Sequence, residues 1–220
     1  NHEIDYGIAH LLFLEKCAKF PIINANLHIT TNNARLFKSH HIIEIDGMKI
    51  LFIGIITDTV ISMAKKEALV GSFVDIHDAA TEVERICNAY NSFDIDCTVL
   101  LTHIGFEEDK LLAASLDPSL GVDIIIGGHS HTFLNYADYV TNQDNERVPV
   151  VQTGSKGICL GYAKIKFDED NRPSYTYKLI PVKNHLDKKL DPEFSDLIDE
   201  YSESVTYKME EVLGYCPDAI

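Results

Sequence analysis

The stretch DCTVLLTHIGFEEDKLLAASLDPSLGVDIIIGGHSH, Asp96 to His131, decides the fold. Asp96 to Leu101 is a mostly apolar run of strand length. Glu107 to Leu116 has helical texture, and Val122 to Ile126 reads as a second, buried strand. Strand, helix and strand within about thirty residues make one βαβ unit, whose two strands are parallel. Two short polar sequences follow those strands: Thr102-His103-Ile104-Gly105 and Gly127-Gly128-His129-Ser130-His131. Loops at the carboxyl ends of parallel strands are where α/β folds gather their ligands. His103 and His129 are thus expected side by side. His129 and His131, two apart in an extended segment, are expected to project to one side.

Working outward, Asp78 to Asn91 carries Ala79, Val83, Ile86 and Tyr90 at helical spacing. Upstream, His41 to Ile45 and Lys49 to Ile56 flank Asp46-Gly47-Met48, and Asp-Gly between apolar runs predicts a hairpin. Gly7 to Lys19 reads as a helix and Ile22 to Leu27 as a strand. Downstream, Tyr139 to Val140 and Val148 to Gln152 flank a polar insert. Tyr162 to Phe167 and Ser174 to Val182 predict an antiparallel hairpin. Asp191-Pro192-Glu193 supplies an N-cap, a proline at the first helical position and an acid in the first turn. The acidic helix it opens is expected to run to about Leu213. Its stripe of Phe194, Leu197, Ile198, Tyr201, Val205, Met209 and Val212 is expected to pack on its own domain.

The 220 residues suit one large domain or a domain with an appendage. Hydrophobic content of 45% excludes a disordered chain. A net charge of −15 argues against a nucleic-acid or anionic-membrane partner, because phosphate backbones attract clustered Lys and Arg. No apolar run reaches the roughly 18–20 residues of a membrane span. The first residues, Asn1-His2-Glu3-Ile4-Asp5, do not read as a signal peptide. With no initiator Met, they predict that the chain starts inside a longer gene product. The five cysteines are dispersed with no C-x-x-C pair, so free or buried thiols are expected.

Three histidines converging on one sheet edge suit a metal such as Zn, Mn, Fe or Ni more than Ca or Mg. His10, His28, His40, His41, His77 and His185 lack such company and read as surface residues. Ser130, set between two presumed ligands with no spare base, is a poor nucleophile.

Taken in order, six motifs resemble the 5′-nucleotidase branch of the calcineurin-like metallophosphoesterases. They are Asn1-His2-Glu3-x-Asp5-Tyr6-Gly7, Phe20-Pro21-Ile22-x-x-Ala25-Asn26-Leu27, Thr102-His103-x-Gly105, Gly127-Gly128-His129-Ser130-His131-Thr132, Val148-Pro149-Val150-Val151-Gln152-Thr153-Gly154 and Leu160-Gly161-Tyr162. The resemblance implies an α/β fold, an incomplete four-layer αββα sandwich. It implies two divalent ions, Zn, Mn or similar. Asn1, His103 and His129 resemble ligands of the second metal, and His131 a ligand of the first. His2 is similar to the family's catalytic histidine, and Asp5 to the acid that orients it. The implied activity is release of phosphate from nucleoside 5′-monophosphates. A 2′,3′-cyclic nucleotide phosphodiesterase, a UDP-sugar hydrolase and a non-catalytic scaffold are the alternatives. Family members are often exported or surface-attached, which implies an extracytoplasmic location.

The family pattern also includes an Asp-x-His and a Gly-Asp motif before the position of Asn1. Asp75-Ile76-His77 has the first spacing, but it opens a helix in the wrong place. The expectation is therefore a catalytic domain over residues 1–190, incomplete at its N-terminus, with an uncovered apolar sheet edge and no activity in isolation. An acidic linker helix over 191–213 is expected to lead to a substrate-binding domain outside this chain.

Overall fold

Alternation of side chains along the central strands builds the molecule in layers. In β3 (Met48–Ile56), Leu51, Ile53 and Ile55 point one way while Ile50 and Phe52 point the other. The same parity holds in β5 (Cys97–His103) and β6 (Val122–Ile126), with Leu100 and Ile125 on one face and Val99 and Ile124 on the opposite one. The first face is covered by Val83, Ile86 and Cys87 of helix α3 (Ala79–Tyr90) and by Leu112 and Ala113 of α4 (Phe106–Ser115). The second packs against Ile165, Phe167 and Tyr177 of an antiparallel hairpin, β9 (Cys159–Phe167) with β10 (Pro173–Pro181). Each fully buried aliphatic side chain contributes about 1.5–3 kcal/mol. Strands buried on both faces explain why the runs are apolar nearly throughout.

This computed structural model describes residues 2–64, 70–142, 146–168, 173–183 and 190–211. Its main sheet has six strands in the order β2-β3-β5-β6-β8-β7, where β2 is His40–Ile45, β7 Asp138–Thr141 and β8 Arg147–Val151. The pairs β3–β5, β5–β6 and β6–β8 are parallel, and the flanking pairs β2–β3 and β7–β8 are antiparallel. The predicted βαβ unit is thus present. Asp46 and Gly47, with φ of 52° and 85°, turn the predicted hairpin. Positive φ at both central residues matches the twist of the strands they join.

Other elements differ from expectation. Ile22 to Leu27 is not a strand; Ile23 makes one isolated bridge to Lys38, and the strand β1 begins at Leu27 (Leu27–Ile29). It pairs with β4 (Val74–Ile76), which was not anticipated. The first helix is shorter than read, α1 (Ile8–Cys17), preceded by a 3-10 turn over His2–Tyr6. A five-residue helix α2 (Thr59–Met63) was also missed. On the hairpin side of the sheet, Leu101 and Ile126 stay more than a third exposed beside fully buried Leu100 and Ile125. Open apolar surface therefore lies on a sheet face, and also along the edge strand β2, where Ile43 and Ile45 are exposed. Four of the five cysteines, Cys17, Cys87, Cys97 and Cys159, are free; Cys216 lies outside the described residues.

Residues 1–181 and 182–220 form two compact units. In the second, α5 (Pro192–Met209) starts as predicted, with the Asp191 side chain accepting from the Phe194 N–H at 3.1 Å. It buries none of its residues, and Phe194, Leu197 and Tyr201 of the expected packing stripe are exposed. No helix among the described residues is long and apolar enough to cross a membrane.

Candidate metal and phosphate site

Strand β5 ends on His103, whose carbonyl accepts from the Thr57 N–H at 3.1 Å. Strand β6 ends one residue before Gly127. The parallel pairing sets Leu101 beside Ile126, so the two following loops emerge together. His103 and His129 meet edge-on, with ring centroids 5.2 Å apart. The glycines permit this. A Cβ at Gly128 would lie 3.0 Å from His103 Nδ1, and Gly105, at φ +102°, lies under the His129 ring.

The segment carrying His129 and His131 is not extended. Both residues have positive φ, 73° and 56°, and the Ser130 N–H donates back to the Gly128 carbonyl at 2.9 Å. The two-residue alternation of a strand therefore does not govern where these rings point. What holds this unusual backbone is Gln152, only 1% exposed at the end of β8. Its Oε1 accepts from the Thr132 N–H at 2.5 Å and from the Ser130 hydroxyl at 3.1 Å. Its Nε2 donates to the Gly128 carbonyl at 3.0 Å. Ser130 Oγ also accepts from the Phe106 N–H at 3.0 Å, so this hydroxyl fastens two loops together.

Behind the loop, Asp109 is fully buried. Its Oδ1 accepts from the Thr102 hydroxyl at 2.5 Å, while Oδ2 has no hydrogen-bond partner among the described residues. A Cβ on Gly127 would come within 2.1 Å of that Oδ2. Burial pushes the Asp109 carboxyl up to about 6. Sequence reasoning assigned no role to Gln152 or Asp109. The usable signal was position: Gln152 directly follows a buried parallel strand, as His103 and Gly127 do.

His2 and Asp5 pair across one 3-10 turn, with Nδ1 to Oδ2 at 2.9 Å. The His2 ring is mostly exposed and Asp5 is half-buried. Asn1 lies outside the described residues. Burial, helped by the nearby His129 and His2 rings, drives the His103 imidazole down to about 4. A neutral ring at neutral pH keeps a free lone pair, which suits a metal ligand. The His103 and His129 imidazoles, with a glycine cradle shaped to His103, therefore suit a transition-metal ion; His131 does not join them in a set whose ligand atoms all lie within 4.8 Å. A largely apolar cavity of ≈ 690 Å³ passes Glu3, Phe37 and His103, and a second of ≈ 510 Å³ passes Asp58, Glu108 and His129.

The surface reading of the remaining histidines needs correction. His28 is 4% exposed and stacks on half-buried His77, because β1 and β4 pair. His40 is half-buried between the Ser39 hydroxyl at 2.8 Å and the Tyr90 hydroxyl at 2.7 Å. His185 lies outside the described residues.

No protein-family profile matches the chain. Individual relatives do. Snake venom 5′-nucleotidase of Crotalus adamanteus is 32% identical over 187 residues, covering 77% of this chain and 31% of that protein. Human 5′-nucleotidase is 33% identical over 187 residues, again 77% of this chain and 31% of the relative. The chain thus spans about a third of the length of the curated relatives it matches. Among solved structures, a 5′-nucleotidase precursor from Thermus thermophilus superposes with a TM-score of 0.81 at 23% identity, over 97% of this chain and 43% of that one. A Haemophilus influenzae NAD nucleotidase gives 0.77 at 21% identity, over 97% and 46%. The superpositions carry the fold, and the sequence matches carry the kinship. By fold and sequence together, the chain belongs to the 5′-nucleotidase branch of the metallophosphoesterases.

Proposed function

We propose that this chain carries the metal- and phosphate-handling part of an enzyme that releases phosphate from nucleoside 5′-monophosphates. The observation that carries the reading is the meeting of His103 and His129, held from behind by Gln152, at the carboxyl ends of parallel strands. In this reading Asn1, His103 and His129 hold one divalent ion, and His131 contributes to a second. When bound, such a pair supplies positive charge for the phosphate oxygens and lowers the pKa of the attacking water. Zinc or manganese suits the imidazole-rich set.

The chain's own residues do the rest. Asp5 accepts from His2 Nδ1, which fixes the tautomer and leaves Nε2 to face the phosphate. A protonated His2 donates to a phosphoryl oxygen and adds positive charge where negative charge develops in the transition state. The open sheet-end loops admit an anion that a protein of net charge −15 otherwise repels.

The domain assignment belongs to the same proposal. Residues 1–190 are the catalytic domain, and residues 191–213 a connecting helix toward a base-recognising part of the parent protein. Relatives found in venom support an extracytoplasmic location. The decisive test is phosphate release from AMP by the full protein with Zn²⁺ or Mn²⁺ and with EDTA. Metal-dependent turnover supports the reading. A full protein that binds metal and releases no phosphate from any nucleotide overturns it in favour of a non-catalytic scaffold.

A further inference from the structure

A second group of titratable side chains lies in ordered elements. His28 is in β1, His77 directly follows β4, and Glu82 sits in the first turn of α3. Pairing of Leu27 with Ile76 brings the two histidines together, with ring centroids 3.7 Å apart and planes within 10°. Among the described residues, this is the one group of three or more His, Cys, Asp and Glu side chains whose ligand atoms all lie within 4.8 Å of one another.

Proton bookkeeping shows what the group lacks. His28 Nδ1 lies 3.1 Å from the Asn33 carbonyl oxygen, and Nε2 lies 3.3 Å from the Ala25 carbonyl oxygen. Both oxygens can only accept, and a neutral imidazole has one hydrogen. One ring nitrogen therefore opposes a carbonyl with a lone pair. If Nδ1 donates to Asn33, the bare Nε2 also faces Glu82 Oε1 at 3.6 Å. Meanwhile Glu82 Oε2 is taken by Arg35 at 2.5 Å and Arg85 at 3.0 Å. Those guanidiniums aim Oε1 at the histidines, 3.9 Å from His77 Nδ1. Donation of the far ring hydrogen to a backbone carbonyl is how metal-ligating histidines are commonly oriented.

We propose that His28 Nε2, His77 Nδ1 and Glu82 Oε1 bind a divalent transition-metal ion of the zinc type. Two imidazoles and a carboxylate, with an open fourth position, are an established zinc donor set. Bonds of about 2.0–2.2 Å need ligand atoms roughly 3.3–3.5 Å apart; here Glu82 Oε1 lies 3.6 and 3.9 Å from the two ring nitrogens, and all three atoms lie within 4.8 Å of one another, so the set must draw together. In-plane coordination also needs the rings to leave their parallel stack. His77 has that freedom, being 29% exposed, and it lines the ≈ 510 Å³ cavity that gives an ion its way in. Because two guanidiniums oppose added charge, the site favours an ion that bonds imidazole strongly over Ca²⁺ or Mg²⁺. Once bound, the ion would fasten the β1–β4 ribbon to α3.

The test is a Zn²⁺ titration of the protein, read by bound-metal stoichiometry and by the NMR signals of the His28 and His77 rings. Zinc is expected to move both sets of ring signals. His77→Ala should remove one zinc per chain, and Glu82→Gln should weaken uptake at least about tenfold. His129→Ala should keep this ion, which separates it from metal at the carboxyl-end loops. Unmoved ring signals, or unchanged stoichiometry in a folded His77→Ala, overturn the proposal. So do ring signals that answer to acid in EDTA and not to zinc, since the missing cation is then a proton. Should His77→Ala not fold, the signals of the unsubstituted protein decide.

Discussion

The molecule has two histidine groups built in opposite ways. One, around His103, His129 and His131, sits on loops whose backbone is held in left-handed conformations by neighbours such as Gln152. The other, His28 with His77 and Glu82, sits on a strand, just past a second strand and on a helix, whose backbones are ordinary, and its side chains are fixed by ion pairs. The first group exposes nitrogen atoms at the cost of an awkward chain path. The second keeps an easy path and buries its polar atoms. Perturbing the exposed loop side chains should therefore act on reactivity, and perturbing the residues that hold either group should act on cohesion.

The largest test of that contrast is His2→Ala, whose ring completes the loop group. It should cut kcat for AMP about 10²–10³-fold in the full protein while the urea midpoint barely moves. A loss below tenfold would remove His2 from the chemistry. Next is Gln152→Ala. It strips partners from the Thr132 N–H, the Gly128 carbonyl and the Ser130 hydroxyl, so unfolding free energy should fall by about 3 kcal/mol. Chemical denaturation measures this, and an unchanged midpoint would mean the loop holds itself.

Asp109 gives a smaller effect with a definite sign. Its folded carboxyl titrates at about 6 against an ordinary value of 3.8, raised by burial. Between those values the folded chain keeps a proton that the unfolded chain has released. The resulting stability is full below about pH 4 and is lost as pH rises through 6. Asp109→Asn should flatten part of that slope, by roughly 2 kcal/mol. The Asp123 carboxyl, raised by burial to about 6 as well, should keep the remainder. Thermal unfolding across pH 4–8 reads the difference. The smallest effect belongs to the ribbon. Arg85 is 55% exposed, so Arg85→Ala should cost less than about 1 kcal/mol, with Arg35 still holding Glu82.

The same contrast explains what could be read from the amino-acid order. The βαβ unit and the Asp46-Gly47 hairpin were legible because period, turn chemistry and burial agree there. His103 and His129 were legible because they follow those strands directly. The conformation of Gly127 to His131 was not, since it depends on Gln152 some twenty residues later. His28 was misjudged for a similar reason. Its burial comes from Ile76 opposite Leu27 and from Glu82 across the helix, and no local pattern announces a three-residue strand. The His2–Tyr6 turn was missed because five residues show too little periodicity, although the His2 and Asp5 spacing within it drew notice.

Gly127 and Asp109 occupy one shared volume, since a methyl group on the glycine would collide with the carboxyl oxygen. Their histories are therefore bound together. A lineage that enlarges position 127 first meets a clash, and one that shortens position 109 first opens a hole. Each change alone is expected to lower stability, and the two together trade one volume for the other. Descendants of this sequence should keep both residues or replace both, a pairing set by space and carrying no information about the substrate.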